Sequence, residues 1–274
     1  MGNKKERKTN YRGEIMLVNI MKLSRQELLG LSHSEVGRST MSESEILRLL
    51  SALRVWYNYD YAKGQGDELP PHAVLVNKTH TDTYIMHKAL CHNSAIVAVL
   101  ARQLIKKLTL GKSMMDLSPR DRLSAKPIWV IGPSYGSVFL VSAFARELGA
   151  WQGMTEKVEG NDQEWTSLPI PNGVVVQLVD DVVMTAGSAL AAKCAVLEPL
   201  TADNQVSIQP EIGVIINMSG VTRVGEFKIV SLLELVPMFW YGEDCQLCQQ
   251  GSPAVSVERN WPQLAEACWL DPPD

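Results

Sequence analysis

The sequence predicts an α/β fold, a central mostly parallel sheet flanked by helices, and three observations carry that prediction. From residue 72 onward, short β-branched runs alternate with helix-length stretches, the order produced by βαβ units with right-handed crossovers. Two of the apolar runs, near Ile131 and Val179, break into small-residue turns that lead directly into helices. The 274 residues, 46% of them hydrophobic, can fill a sizeable core, so one domain with an N-terminal extension is expected.

Each element has its own warrant. Residues 2–12 are polar and basic (Lys4, Lys5, Arg7, Lys8, Arg12) and read as a mobile leader, with nucleic-acid contact as the minor alternative. Ser24 with Glu27 forms a capping box for a short helix. Ile46, Leu49, Leu50, Leu53 and Trp56 or Tyr57 then share one helical face, which reads as a packing face. The polar link Gly64–Pro71 closes an N-terminal leader and helical extension over 1–70, ahead of a main domain and C-terminal tail over 71–274. In that domain, strands are expected at His72–Val76, Thr83–Met86, Ile128–Ile131, Gly153–Val158, Val174–Val179 and Ile212–Met218. Helices are expected at Ser94–Leu108, Val138–Leu148 and Ser188–Leu197.

Charge and cysteine usage narrow the partners. A net charge of −4 supplies no overall basic field, so nucleic acid is not the expected partner. No apolar run approaches the roughly 20 residues that span a bilayer, so no membrane segment is expected. The five cysteines are odd in number with no secretory leader ahead of them, which predicts a reducing, cytoplasmic setting. Cys245 and Cys248 have the spacing of half a zinc site, with Cys268 as the nearby candidate to complete it, but no metal ligand is assigned.

The stretch Leu178–Ser188, LVDDVVMTAGS, carries the most chemistry. Asp180 and Asp181 at the strand end can accept hydrogen bonds from sugar hydroxyls. Thr185, Ala186, Gly187 and Ser188 form the turn into the next helix, where backbone N–H groups and the helix dipole favour an anion. The residues alone point to a phosphorylated sugar, bound at the carboxyl ends of the strands. A second strand–turn–helix segment, Trp129–Gly149, contains Gly132, Pro133, Ser134, Tyr135 and Gly136 in its turn.

The first segment resembles the phosphoribosyl pyrophosphate signature of type I phosphoribosyltransferases, and the second resembles the pyrophosphate loop of the orotate enzymes within that family. The resemblance covers roughly His72–Pro253. It implies the family fold with a small hood, a homodimer, and transfer of phosphoribose from its pyrophosphate to orotate on the way to pyrimidine nucleotides. Asp180 and Asp181 would hold the ribose hydroxyls, residues 185–188 the ribose phosphate and residues 132–136 the pyrophosphate, with magnesium arriving on the donor. Ala73–Tyr84 resembles the hood segment, implying that Lys78 and His80 contact orotate or pyrophosphate. Met154–Trp165 should be the mobile catalytic loop with Lys157 over the leaving group, and Arg223 falls in the stretch after the core sheet. Departures are also legible: Met184 and Ala186 replace Thr and Gly, Gly136 stands where many orotate enzymes have Lys, and the expected loop holds four acids beside its one cation. Two alternatives follow, a phosphoribosyltransferase for another base and a phosphoribosyl pyrophosphate-binding regulator without turnover.

Overall fold

The computed structural model describes residues 18–32, 34–36, 40–62, 69–117, 127–133, 136–158, 162–184, 187–198 and 206–267. The basic leader, most of the link at 64–71 and Cys268 lie outside the described residues. In chain order the elements begin with α1 (Arg25–Leu29), α2 (Glu43–Ala52), β1 (Trp56–Asn58), β2 (His72–Val74), β3 (Thr79–Thr81) and β4 (Thr83–Ile85). Next come α3 (His87–Leu90), α4 (Ser94–Lys107), α5 (Thr109–Asp116), β5 (Ile128–Pro133), α6 (Val138–Leu148), β6 (Trp151–Lys157) and β7 (Gln163–Trp165). The chain continues through β8 (Val175–Val183), α7 (Gly187–Leu197), β9 (Ser207–Asn217), β10 (Arg223–Val224) and β11 (Phe227–Glu234). It ends with β12 (Phe239–Tyr241), α8 (Gln246–Gln249), β13 (Ala254–Ser256) and α9 (Trp261–Ala267).

The main sheet has seven strands in the order β10-β11-β9-β8-β5-β6-β7. Its five inner strands are parallel, and the edge strands β10 and β7 run antiparallel to their neighbours. Strand order reverses between β5 and β8, because the chain steps from β5 to β6 on one side and later to β8, β9 and β11 on the other. Two crossover helices diverge there and leave a crevice at the carboxyl ends of β5 and β8. One face of the sheet carries α4 and α6, with Ile96, Leu100, Leu104, Leu140 and Phe144 buried against Val130, Val179 and Ile215. Each fully buried aliphatic side chain contributes roughly 1.5–3 kcal/mol. The other face takes α7, whose Ala189 and Val196 pack with Ile131, Leu178 and Val214.

The N-terminal helices join the first of these cores. Capping boxes at Ser24/Glu27 and Ser42/Glu45 start α1 and α2. Leu28 and Leu49 share the cluster that contains Leu100. The fully buried Arg48 donates to the carbonyls of Ile20 and Leu23, and Asn93, which caps α4, donates to the Leu29 carbonyl. The α2 face is shorter than its spacing predicts. The helix stops at Ala52, Arg54 turns left-handed at φ 56°, and Trp56 and Tyr57 enter a strand paired with β4.

A second sheet of four three-residue strands, β12-β3-β2-β13, forms the hood. It is built from both ends of the domain, since β2 pairs with β13 and β3 pairs with β12. Among the described residues, no helix is long and apolar enough to cross a membrane.

Candidate active site

A cavity of about 410 Å³ opens where the strand order reverses. Pro133 and Gly136 from the end of β5, Asp180 and Asp181 from β8, and Ser188 from the first turn of α7 form its floor. Leu75, Thr83, Tyr84, Ile85 and Phe239 bring the hood side, and His87, Val182, Met184 and Met218 complete the lining.

The acids lie deeper than the sequence predicts. Val182 and Val183 continue the ladder opposite Ile216 and Asn217, so β8 runs to residue 183 and encloses Asp180 and Asp181 instead of ending before them. Each acid is only 5% exposed. The Asp181 N–H donates to Asp180 Oδ1 and the Val182 N–H to Asp181 Oδ1, both at 2.9 Å. Asp181 Oδ2 is buried with no protein partner. Burial, reinforced by the Asp181 carboxylate beside it, pushes Asp180 well above the usual carboxylate range, and burial raises Asp181 as well. Two buried acids beside a cavity, one of them with an unpartnered oxygen, can accept hydroxyl hydrogens or meet a cation, either of which would offset their desolvation.

Gly136 has a steric reason to be glycine. A Cβ there would lie 2.4 Å from Asp181 Oδ2, so a lysine at this position would collide with the acid pair. Ser134, Tyr135, Thr185 and Ala186 lie outside the described residues. Gly132 is buried in the last turn of the β5 ladder, and Gly187 opens α7.

Other sequence candidates sit elsewhere. Lys78 is exposed in the β2–β3 turn with φ 67°, three residues past Leu75 of the lining. His80 turns away from the cavity: its Nδ1 is 2.9 Å from His72 Nε2 and 3.4 Å from Cys248 Sγ. Burial lowers its basicity, which makes it a poor cation for pyrophosphate. Arg223 is also outside the lining. It pairs with Lys228 near the amino end of β11, because β10 runs back along the sheet edge, and its guanidinium donates to the Glu226 carbonyl.

The expected mobile loop is for the most part an edge hairpin. Lys157 pairs with Gln163 and Thr155 with Trp165, and only residues 159–161 of the segment lie outside the described residues. The Trp165 ring covers Gly153, where a Cβ would meet it at 2.3 Å, and packs against Trp129, itself stacked on Trp151. Lys157 is exposed at the carboxyl end of β6, the same end of the sheet as the acids, but does not line the cavity. Thr83 and Tyr84 of the expected hood segment do reach the site, and His87, Met218 and Phe239 reach it although no motif marks them. His87 faces the acids closely enough to favour ionised Asp181, and only the strand pairing of β4 could have put α3 there.

No protein-family model matches the chain. Curated relatives do. The orotate phosphoribosyltransferase of Thermoanaerobacter sp. is 26% identical over 216 residues, covering 78% of this chain and 96% of the relative. The enzyme of the same name from Heliobacterium modesticaldum is 24% identical over 194 residues, 68% of this chain and 88% of that one. A third, from Desulforamulus reducens, is 31% identical over 127 residues, 46% of this chain and 63% of the relative. Similarity thus runs through nearly the whole length of two such relatives, and the acids of the expected signature lie buried at the strand switch, so in sequence and in the placement of these acids the chain is similar to the orotate phosphoribosyltransferases.

Proposed function

We propose that the protein transfers phosphoribose from phosphoribosyl pyrophosphate to orotate, releasing pyrophosphate. The observation that carries the reading is the buried Asp180–Asp181 pair lining a cavity at the strand switch, with Asp181 Oδ2 unpartnered. The names of the relatives favour orotate among acceptors.

Bond cleavage at the anomeric carbon develops positive charge on the ribose, as in glycoside hydrolysis. Asp180 and Asp181 would accept the ribose hydroxyls and, once ionised, stabilise that charge at a fixed position in a low-dielectric crevice. The Gly187–Ser188 helix start would receive the ribose phosphate and the 132–136 turn the pyrophosphate, using backbone N–H groups. Lys157 would approach the departing pyrophosphate from the end of β6, and Lys78 would approach the acceptor from the hood turn. The unpartnered Asp181 oxygen suits a hard, oxygen-seeking cation, so the acid pair would face magnesium brought by the donor. Magnesium supplies charge neutralisation of the leaving pyrophosphate. A cytoplasmic setting is the proposed one, and the described cysteines Cys91, Cys194, Cys245 and Cys248 are in keeping with it in forming no disulfide with one another. A homodimer is the proposed assembly, to be checked by sedimentation.

A second reading, a different acceptor base, has one observation in its favour. The described lining contains no Lys or Arg to meet the orotate carboxylate. Incubation with phosphoribosyl pyrophosphate, magnesium and orotate, uracil or a purine separates the two by the nucleotide formed. Orotidine monophosphate supports the proposal, and another nucleotide moves the acceptor. Donor binding without any product would leave the regulator in place of an enzyme.

A further inference from the structure

Outside the cavity, four side chains from opposite ends of the domain converge within the hood. His72 and His80 come from β2 and β3, Cys245 precedes α8, and Cys248 lies within it. One donor atom from each lies within 4.8 Å of all the others. We propose that His72, His80, Cys245 and Cys248 form a structural zinc site that clamps the C-terminal segment onto the β2–β3 hairpin.

The spacing matches that of tetrahedral zinc ligands. Zinc bonds of about 2.3 Å to sulfur and 2.0–2.1 Å to nitrogen place sulfur and nitrogen ligands about 3.5 Å apart. His72 Nε2 is 3.6 Å from Cys245 Sγ and 3.4 Å from Cys248 Sγ, and His80 Nδ1 is 3.4 Å from Cys248 Sγ. The two imidazole nitrogens, 2.9 Å apart, need to part by only about 0.4 Å to reach the tetrahedral nitrogen spacing.

Hydrogen bonding also points His72 at the cluster. Ser252 Oγ donates its single proton to the Pro70 carbonyl at 2.7 Å. At 2.8 Å from His72 Nδ1 it must therefore accept from an Nδ1–H, leaving the Nε2 lone pair facing the two sulfurs. An outer partner of this kind fixes the tautomer of metal-bound histidines. Four protein donors, two of them fully buried, leave no open position, so the site is structural and not catalytic. Mixed imidazole and thiolate donors suit zinc over magnesium or calcium. Binding deprotonates both thiols and releases those protons to solvent, giving a neutral centre.

The fold supplies a reason. Strands of three residues give the hood little stability of its own, and a metal bound only by the folded form would stabilise it. The site holds whether or not the neighbouring cavity binds phosphoribosyl pyrophosphate, and its test uses no substrate.

Elemental analysis of the full chain purified under reducing conditions should find one zinc per chain that survives dialysis. Replacement by cobalt should give the intense visible bands of a tetrahedral centre and a thiolate charge-transfer band. Both readouts use the unaltered chain, so they stand even if variants fail to fold. C245S/C248S should lose the metal. S252A, which removes no ligand, should weaken zinc about 10–100-fold. Substoichiometric metal with freely reactive thiols, a pale octahedral cobalt spectrum, or full metal content in C245S/C248S would overturn the proposal.

Discussion

The two walls of the cavity are made in different ways. The floor, where the proposed function seats the donor, comes from two continuous strand–turn–helix segments, β5–α6 and β8–α7, held side by side in the middle of a parallel sheet. The hood wall joins β2 and β3 to β13 and β12, segments more than 150 residues apart in sequence, through very short strands. The floor is thus rigid, while the hood depends on contacts that close the domain's two ends on each other. Donor binding should therefore be sensitive to atomic-scale changes in the floor, and acceptor binding to changes in the hood.

The largest effect should come from the acids. Asp180→Asn/Asp181→Asn removes the groups proposed to meet the ribose, and phosphoribosyl pyrophosphate affinity should fall about 100-fold or more, as for loss of charge-assisted hydrogen bonds in a dry site. Isothermal titration with the donor checks it. Unchanged affinity would remove the floor from the donor site altogether.

Gly136→Ala is the next sharpest probe. Its Cβ would displace the Asp181 carboxylate, and a shift of about 1 Å at a reacting centre can cost about 100-fold in turnover. The same collision predicts that Gly136→Lys, although it restores a cation common in orotate enzymes, lowers activity. A gain in kcat with Gly136→Lys would show that the loop has room the geometry denies.

The same contrast explains what was legible. Asp180, Asp181, Gly136 and Ser188 were readable because each sits beside its strand and turn in the sequence, and the parallel sheet then joins the two segments. The length of β8 was missed because valines after two acids still extend a ladder when a buried neighbour strand waits for them. The β6–β7 hairpin was missed because its determinant is remote: Trp165 folds over a glycine 12 residues earlier and onto Trp129. Position in the hood points His80 at substrate, whereas its ring meets Cys248 from the other end of the domain. Phe239 carried no motif at all.

Phe239 tests the hood in isolation from the floor. It lines the cavity while remaining 43% exposed, so Phe239→Ala should raise the acceptor KM about tenfold through loss of ring contact. Donor affinity should stay within about twofold, since surface changes usually stay within about 0.5 kcal/mol where they touch no partner. An equal loss for donor and acceptor would show that the two walls move as one body.

The smallest expected effect concerns pH and belongs to the floor alone. Burial raises both acids above the 3.8 of a free aspartate, Asp180 the more strongly because the Asp181 charge adds to it. As pH climbs through 3.8, the unfolded chain releases these protons while the folded chain keeps them. The folded state then binds more protons, so these groups make stability fall with rising pH until they ionise in both states. Asp181→Asn should remove much of that downward slope and raise the free protein's stability near neutrality by about 1 kcal/mol, even as it weakens donor binding. Melting temperatures measured upward from about pH 4, near the value of a free aspartate, to about pH 8 provide the comparison. At a chain length near 270, 1 kcal/mol amounts to a shift of about 2–4 °C. Parallel profiles for Asp181→Asn and the unaltered chain would mean that the acids are already compensated without ligand. The floor would then not be the strained, substrate-ready wall that distinguishes it from the hood.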